Sequence, residues 1–171
     1  MSIRWADGQR HSLAVAAVCV AAATIAVACG HSPGTTSPTI LALQPVTAVV
    51  SGTSETVLEG DLERTLYYSS SDTATTVTCT GVCTQTWMPY VRPVAPLIGP
   101  PANGGASGTL TWVRGSSGCQ AQYNGHPLYT YAGDVRPNVA SGDGLEGTWF
   151  VVTPDVAPAS GWSPSRARSS C

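Results

Sequence analysis

Leu66-Tyr67-Tyr68-Ser69-Ser70-Ser71-Asp72 and Leu128-Tyr129-Thr130-Tyr131-Ala132-Gly133-Asp134 are two versions of one pattern. Beyond them Val77, Thr86 and Trp87 return as Val139, Thr148 and Trp149, every residue at the same offset and without a gap. Self-similarity at a fixed period is the mark of a duplicated supersecondary unit, so the chain is read as two copies of one such unit. The repeated positions are Leu-Tyr, then Asp, then Thr-Trp, which is a packing pattern before it is a chemical one.

The flanks give the unit its secondary structure. In the second copy Thr109 to Arg114 alternates as a strand does, with Leu110 and Trp112 on one face and Thr111 and Val113 on the other. Gln120–Tyr123 and His126–Tyr131 flank Asn124-Gly125, a pair that tolerates positive φ at both turn positions and so predicts a hairpin. Trp149-Phe150-Val151-Val152 is an unbroken apolar run suited to a buried strand. The first copy repeats the scheme, with Thr56–Leu58 and Thr65–Tyr68 around Glu59-Gly60-Asp61. Each unit is thus hairpin, polar loop, apolar strand. One such unit cannot bury both faces of its sheet, so the expectation is an all-β fold: two tandem repeats packed about a pseudo-twofold axis into a small sandwich or open barrel.

Composition agrees and narrows the partners. Charged residues are 11 % of the 171, and all eight basic residues are arginine. A net charge of -2 without clustered cations excludes nucleic acid, which is held through phosphate neutralisation. Abundant Gly, Pro, Ser and Thr favour strands and turns over helices.

The N-terminus reads as an export signal. Arg4 and Arg10 precede an almost unbroken apolar stretch from Leu13 to Ala28, which ends in Ala26-Val27-Ala28-Cys29. As a helix that stretch reaches roughly 24 Å, short of the roughly 30 Å hydrocarbon core, so a cleaved leader is expected rather than a permanent span. Its end resembles the bacterial lipobox, with Ala26 where leucine is usual. The resemblance implies a lipoprotein signal peptide over residues 1–28, acyl chains on Cys29, and an extracytoplasmic protein anchored to the cell membrane. Gly30 to Pro38 suits a flexible tether, taken as residues 29–45. The alternative is a secreted protein cleaved after Ala28, with Cys29 as a free or paired thiol.

The remaining boundaries are a two-repeat domain over 46–155 and a C-terminal tail over 156–171. Within the domain, 46–91 is the first repeat, 92–108 a Pro/Gly-rich connection and 109–155 the second repeat. With Cys19 in the leader and Cys29 lipidated, four cysteines remain: Cys79, Cys83, Cys119 and Cys171. An oxidising compartment favours disulfides. Cys79 and Cys83 stand close enough for one turn to join them, which leaves Cys119 with Cys171, although the terminal Cys171 could also pair between molecules.

Leu128-Tyr-Thr-Tyr-Ala-Gly-Asp134 and Cys79-Thr-Gly-Val-Cys83 with Trp87-Met-Pro downstream resemble a bacterial secreted-repeat lipoprotein family marked by a Tyr-x-aromatic-x-x-Asp motif. Tyr123-Asn-Gly-His-Pro-Leu-Tyr129 and Gly147-Thr-Trp149 add to the likeness, which spans roughly residues 54 to 153. Ser69 stands where the motif has an aromatic residue, and Met88 where proline is usual. Cys119 and Cys171 are additions to the pattern. The resemblance implies a location and a fold but no activity, since the family is uncharacterised.

Three readings of the motif residues compete. Tyr67, Tyr129, Tyr131, Trp87 and Trp149 can be core, with Asp72 and Asp134 capping the loops that follow them. Alternatively, aromatic rings with a carboxylate can form a platform for a cell-envelope polymer such as peptidoglycan, or for a protein partner. The third is a copper- or thiol-handling accessory role for Cys79 and Cys83, with Met88 and His126 as further ligands. No nucleophile elbow, zinc-protease helix or paired-carboxylate arrangement is present, so an enzyme is not expected, nor any cofactor or resident metal. The sequence therefore predicts a lipid-anchored binding or envelope-structural module.

Overall fold

The computed structural model describes residues 43–91 and 104–171. The segment expected to be a signal peptide, Cys29, nearly all of the expected tether and most of the 92–108 connection lie outside the described residues. What is described is an all-β fold of eleven short strands in three sheets, with one four-residue helix.

The first sheet is built on a long hairpin, β1 (Gln44–Val50) and β2 (Thr53–Gly60), around a Ser51-Gly52 turn with positive φ at both residues. β3 (Arg64–Thr65) pairs with the end of β2. β1 starts at Gln44, within the segment expected to be tether, where Val46, Ala48 and Val50 alternate as one face of a strand. The third sheet is the counterpart in the second repeat: β6 (Leu110–Gly115), β7 (Gly118–Tyr123) and β8 (His126–Pro127), turning at Asn124-Gly125. Asn124 and Gly125 both have positive φ, as the hairpin reading requires.

The middle sheet carries the repeated motif. Its strands are β4 (Tyr67–Ser69), β5 (Trp87–Pro89), β9 (Tyr129–Tyr131) and β11 (Trp149–Val151), in the order β11-β4-β9-β5. The remaining strand, β10 (Val139–Ala140), adds in parallel to the edge of β1. The middle order differs from two self-contained units side by side. Each tryptophan strand pairs with the tyrosine strand of the other repeat: Trp149 faces Ser69 and Val151 faces Tyr67, while Trp87 faces Tyr131 and Pro89 faces Tyr129. Subtracting the repeat offset turns one set of pairs into the other. At the centre Tyr67 faces its own counterpart, Tyr129, so the pseudo-twofold axis passes between them.

The sheets are joined by closed rings of backbone hydrogen bonds. Leu58 N donates to Val152 O, Val152 N to Leu66 O, and Leu66 N back to Leu58 O, at 2.7, 2.9 and 2.9 Å. The same ring recurs as Ala121, Tyr90 and Leu128, at 2.8, 2.8 and 2.9 Å. Each ring satisfies backbone groups at a place where three strands converge and no regular ladder continues.

Neighbouring strand residues point to opposite faces, which explains the repeated Leu-Tyr pair. Leu66 and Leu128 enter one core with Leu58, Trp112, Tyr123 and Val152. Tyr67 and Tyr129 enter a second core with Val57, Trp87, Trp149 and Val151. A sheet buried on both faces needs an apolar body on each side, and Leu-Tyr supplies both in two residues.

The tail belongs to the packed structure. Ser170 N donates to Trp112 O at 2.8 Å and Ser169 Oγ accepts from Trp112 N at 3.1 Å, so the tail covers the free edge of β6. Cys171 is bonded to Cys119 on β7, which fixes this cover in place.

Candidate functional site

The motif residues meet on the pseudo-twofold axis. β4 carries Tyr67 inward, and its hydroxyl donates to Oδ2 of Asp134, in the other repeat, at 2.5 Å. β9 does the same in reverse, and the Tyr129 hydroxyl donates to Oδ2 of Asp72 at 2.7 Å. Both tyrosines are fully buried, and the aspartates are nearly so. The second oxygen of each carboxylate holds the loop that follows it. Asp72 Oδ1 accepts from Thr78 N and Oγ1 at 2.7 and 2.6 Å, and Asp134 Oδ1 from Ser141 N and Oγ at 3.0 and 2.5 Å. Each aspartate therefore caps its own loop and locks the opposite repeat.

Burial first, and then the carboxylate that each one faces, push the Tyr67 and Tyr129 hydroxyls well above the ordinary tyrosine range. The phenols stay protonated donors. A hydroxyl that must remain protonated to satisfy a buried carboxylate is a structural group, unsuited to proton transfer near neutral pH.

Trp87 and Trp149, also counterparts, stack with ring centroids 3.9 Å apart and planes within 8°. Tyr67 meets Trp87 edge to face at 5.4 Å, and Tyr129 meets Trp149 in the same way at 5.1 Å. Edge-to-face contacts of this kind add about 0.5–1.5 kcal/mol each beyond area burial. The symmetry breaks at Tyr131, which is half-buried and lies 4.6 Å from Trp87, while its counterpart Ser69 is a buried residue accepting from Ser71 N at 3.2 Å. The rings are thus packed on one another, and Trp87 and Trp149 are only 2 % and 4 % exposed. They do not form an open platform for sugars.

The cysteines form two bonds, Cys79–Cys83 and Cys119–Cys171, with Cα separations of 5.3 and 6.0 Å. The first ties the loop after Thr78 to the short helix α1 (Cys83–Thr86) that leads into β5. Met88 points outward on β5. His126 Nε2 donates to Ala157 O at 2.8 Å and its ring packs on Tyr68, so the imidazole is committed to the tail. Burial lowers its basicity. Among the described residues no three His, Cys, Asp or Glu side chains gather as a metal site. Cys29 lies outside the described residues.

Two clasps were not foreseen from sequence. Glu59 Oε1 accepts from Asn138 N at 3.0 Å, and Gln122 Nε2 donates to Ala74 O at 3.1 Å. Each reaches from one repeat's hairpin to the loop of the other. A Glu at one place and a Gln at the other serve because one loop offers an N–H and the other a carbonyl. Only a pairing of the two repeats makes these partners adjacent.

Against known proteins, a family described as a secreted repeat of unknown function matches residues 112–153. The match begins at Trp112 on β6 and ends just past β11, so it covers the second repeat. The likeness is to an extracytoplasmic repeat with no assigned activity. No curated protein and no solved structure matches the chain.

Proposed function

We propose that the protein is a lipid-anchored, extracytoplasmic scaffold, a non-catalytic binding or cell-envelope structural module carried on Cys29. The observation that supports this reading is the crossed Tyr–Asp lock. The residues that recur most faithfully are used up in holding the two repeats together, with hydroxyls, carboxylates and rings all facing inward. Two further features suit an exposed envelope setting. Disulfides brace the first-repeat loop and the tail, and the edge of β6 is covered. Several acyl chains on Cys29 would give durable attachment where one would not.

The test is intact mass measurement of the native mature protein, with and without reduction, joined to fractionation of a Cys29→Ser variant. The expected result is a mature chain beginning at an acylated Cys29, a mass gain on reduction matching two disulfides, and loss of the variant from the membrane fraction. A mature chain that starts elsewhere, or carries no acyl group, would overturn the anchor. Binding of isolated cell-envelope polymer and of envelope proteins to the immobilised domain would then separate the binding role from the structural one.

A further inference from the structure

His126 helps to hold the segment that follows β11, and is itself shut in by it. Its Nε2 stands 2.8 Å from Ala157 O. A carbonyl can only accept, so Nε2 carries the proton and Nδ1 is left as a bare acceptor. Nδ1 is buried and has no hydrogen-bond partner among the described residues. The whole residue is 9 % exposed, with the Tyr68 ring packed on the imidazole at 4.3 Å between centroids.

Residues 152–162 form a strap that contains no strand. Single bonds hold it down: the Tyr123 hydroxyl donates to Pro154 O at 2.7 Å, Asn124 Nδ2 to Val156 O at 2.9 Å, and Ala159 N to Asn124 O at 3.0 Å. Ala74 N, on a loop of the first repeat, donates to Ser160 O at 3.3 Å. Trp162 packs on Gly125 so closely that a methyl group there would collide with its ring. Both sides of the strap are anchored, by the backbone ring at Val152 and by the Cys171 bond to Cys119. A segment pinned in this way opens at lower cost than the sheet it lies on, and closes again without losing its place.

We infer that His126 makes the strap an acid-released latch: a second proton on the imidazole is accommodated when residues 152–162 lift away and let Nδ1 reach water. A protonated Nδ1 is a donor with nothing to accept it in the closed form, and an unsatisfied buried donor is costly. The groups around the ring do not supply an acceptor. Asp72 draws the proton electrostatically, but its oxygens are held by Tyr129 and Thr78. Tyr68 is a neutral phenol whose ionisation is pushed up by burial and by Asp143, and Tyr123 gives its proton to Pro154 O. Asp155, the one ionisable side chain of the strap, is exposed. Burial outweighs the favourable contacts and leaves His126 a weaker base than usual in the closed form.

The sign follows. The open strap binds the proton more tightly than the closed one, so the latch is intact above the ordinary histidine pKa of about 6.5. Below it, opening grows by up to about tenfold per pH unit until the lower pKa of the closed form is reached. The crossed locks keep their phenol protons throughout, so the core beneath stays folded. Opening bares Ala159 and Gly125 on the second repeat, and the latch works with or without acyl chains on Cys29.

Amide hydrogen exchange followed by NMR on the full oxidised chain in detergent tests the latch, with each rate expressed relative to a free chain at the same pH. Protection of the Ala159 amide is expected to be constant above about pH 7 and to fall at least about fivefold between about pH 6.5 and 5. The Leu58 amide, in the backbone ring, is expected to keep its protection. His126→Gln retains a donor for Ala157 O but takes up no proton, so its Ala159 protection should stay level across that range. The imidazole signals of the unaltered chain give a reading that needs no variant, and should titrate over the interval in which Ala159 opens. Ala159 protection that ignores pH, or that falls equally in His126→Gln, would overturn the latch. A parallel loss at Leu58 would also overturn it, since the whole domain would then be opening.

Discussion

Removing the Tyr67 hydroxyl tests the crossed lock most directly. In Tyr67→Phe the ring keeps its edge contact with Trp87, so packing changes little and the loss is the bond to Asp134 Oδ2. Oδ1 still accepts from Ser141 N and Oγ, so the carboxylate is left half-satisfied rather than bare. A hydrogen bond to a charged group contributes about 1.5–3 kcal/mol, and Tyr67 also accepts from Gly142 N at 3.3 Å. Tyr67→Phe is therefore expected to cost about 2–3 kcal/mol, and Tyr129→Phe about 2 kcal/mol. The stronger test is which aspartate each tyrosine couples to. Urea unfolding of the oxidised domain in double-mutant cycles with Asp→Ala should give coupling of about 1.5–3 kcal/mol for Tyr67 with Asp134 and for Tyr129 with Asp72. The pairs within one repeat, Tyr67 with Asp72 and Tyr129 with Asp134, should couple by less than about 0.5 kcal/mol. Equal coupling in both sets, or strong coupling inside a repeat, would refute the crossed arrangement and favour two self-contained units.

Three further outcomes are expected. The denatured, unreduced domain should show no free thiol, and loss of Cys119–Cys171, which closes a separation of 52 residues, should cost about 4 kcal/mol against about 2 for Cys79–Cys83 with its separation of 4. Two free thiols at 79 and 83 would revive a copper- or thiol-handling role. Stability should be intact below about pH 10 and fall above it, because the buried tyrosines release protons later in the folded chain than in the unfolded one. Each contributes about 1.4 kcal/mol per pH unit, so urea midpoints at successive alkaline pH values should fall less steeply in Tyr67→Phe. Gly142→Ala should lose about 1–3 kcal/mol in the same unfolding assay, since the new methyl would stand 2.7 Å from the Trp87 ring; a neutral result would place that ring elsewhere.

Strand identity and duplication were legible because both are local. Alternation around Leu110 and Trp112, the Asn124-Gly125 turn and the apolar run from Trp149 each carry their reading in a few neighbouring residues. The capping half of each aspartate's role was legible for the same reason, since Thr78 and Ser141 lie within one loop of it. The locking half was not. Tyr67 and Asp72 sit five residues apart and look like partners, yet the tyrosine's bond goes to the aspartate 67 residues away. A repeat makes such an exchange invisible in sequence, because the residue a side chain meets across the axis is identical to the one it would meet at home. The first-repeat hairpin across Glu59 to Thr65 was legible, but the strand on the other side of β2 was not. That strand begins at Gln44, in a stretch whose Thr and Pro content hid a plain alternation.

The same geometry separates what the repeats must share from what they are free to change. A residue on the pseudo-twofold axis faces its own counterpart, so Tyr67 against Tyr129 and Trp87 against Trp149 are each constrained from both sides at once. Away from the axis, equivalent positions meet different neighbours, and the copies diverge there: Cys79 and Cys83 against Ser141 and Leu145, Ser69 against Tyr131, Leu62 against Asn124. A partner that grips only one face must read differences of this kind. Any surface change that abolishes binding while leaving the crossed lock intact is thus to be sought among Tyr131, Met88 and Val82, beside the Cys79–Cys83 loop. The expected result for Met88→Asp or Val82→Asp is an unchanged urea midpoint, since both side chains are exposed, together with lost retention on whichever envelope component holds the wild-type domain. Undiminished retention by both variants would move the search to the depression lined by Arg64 and Arg136.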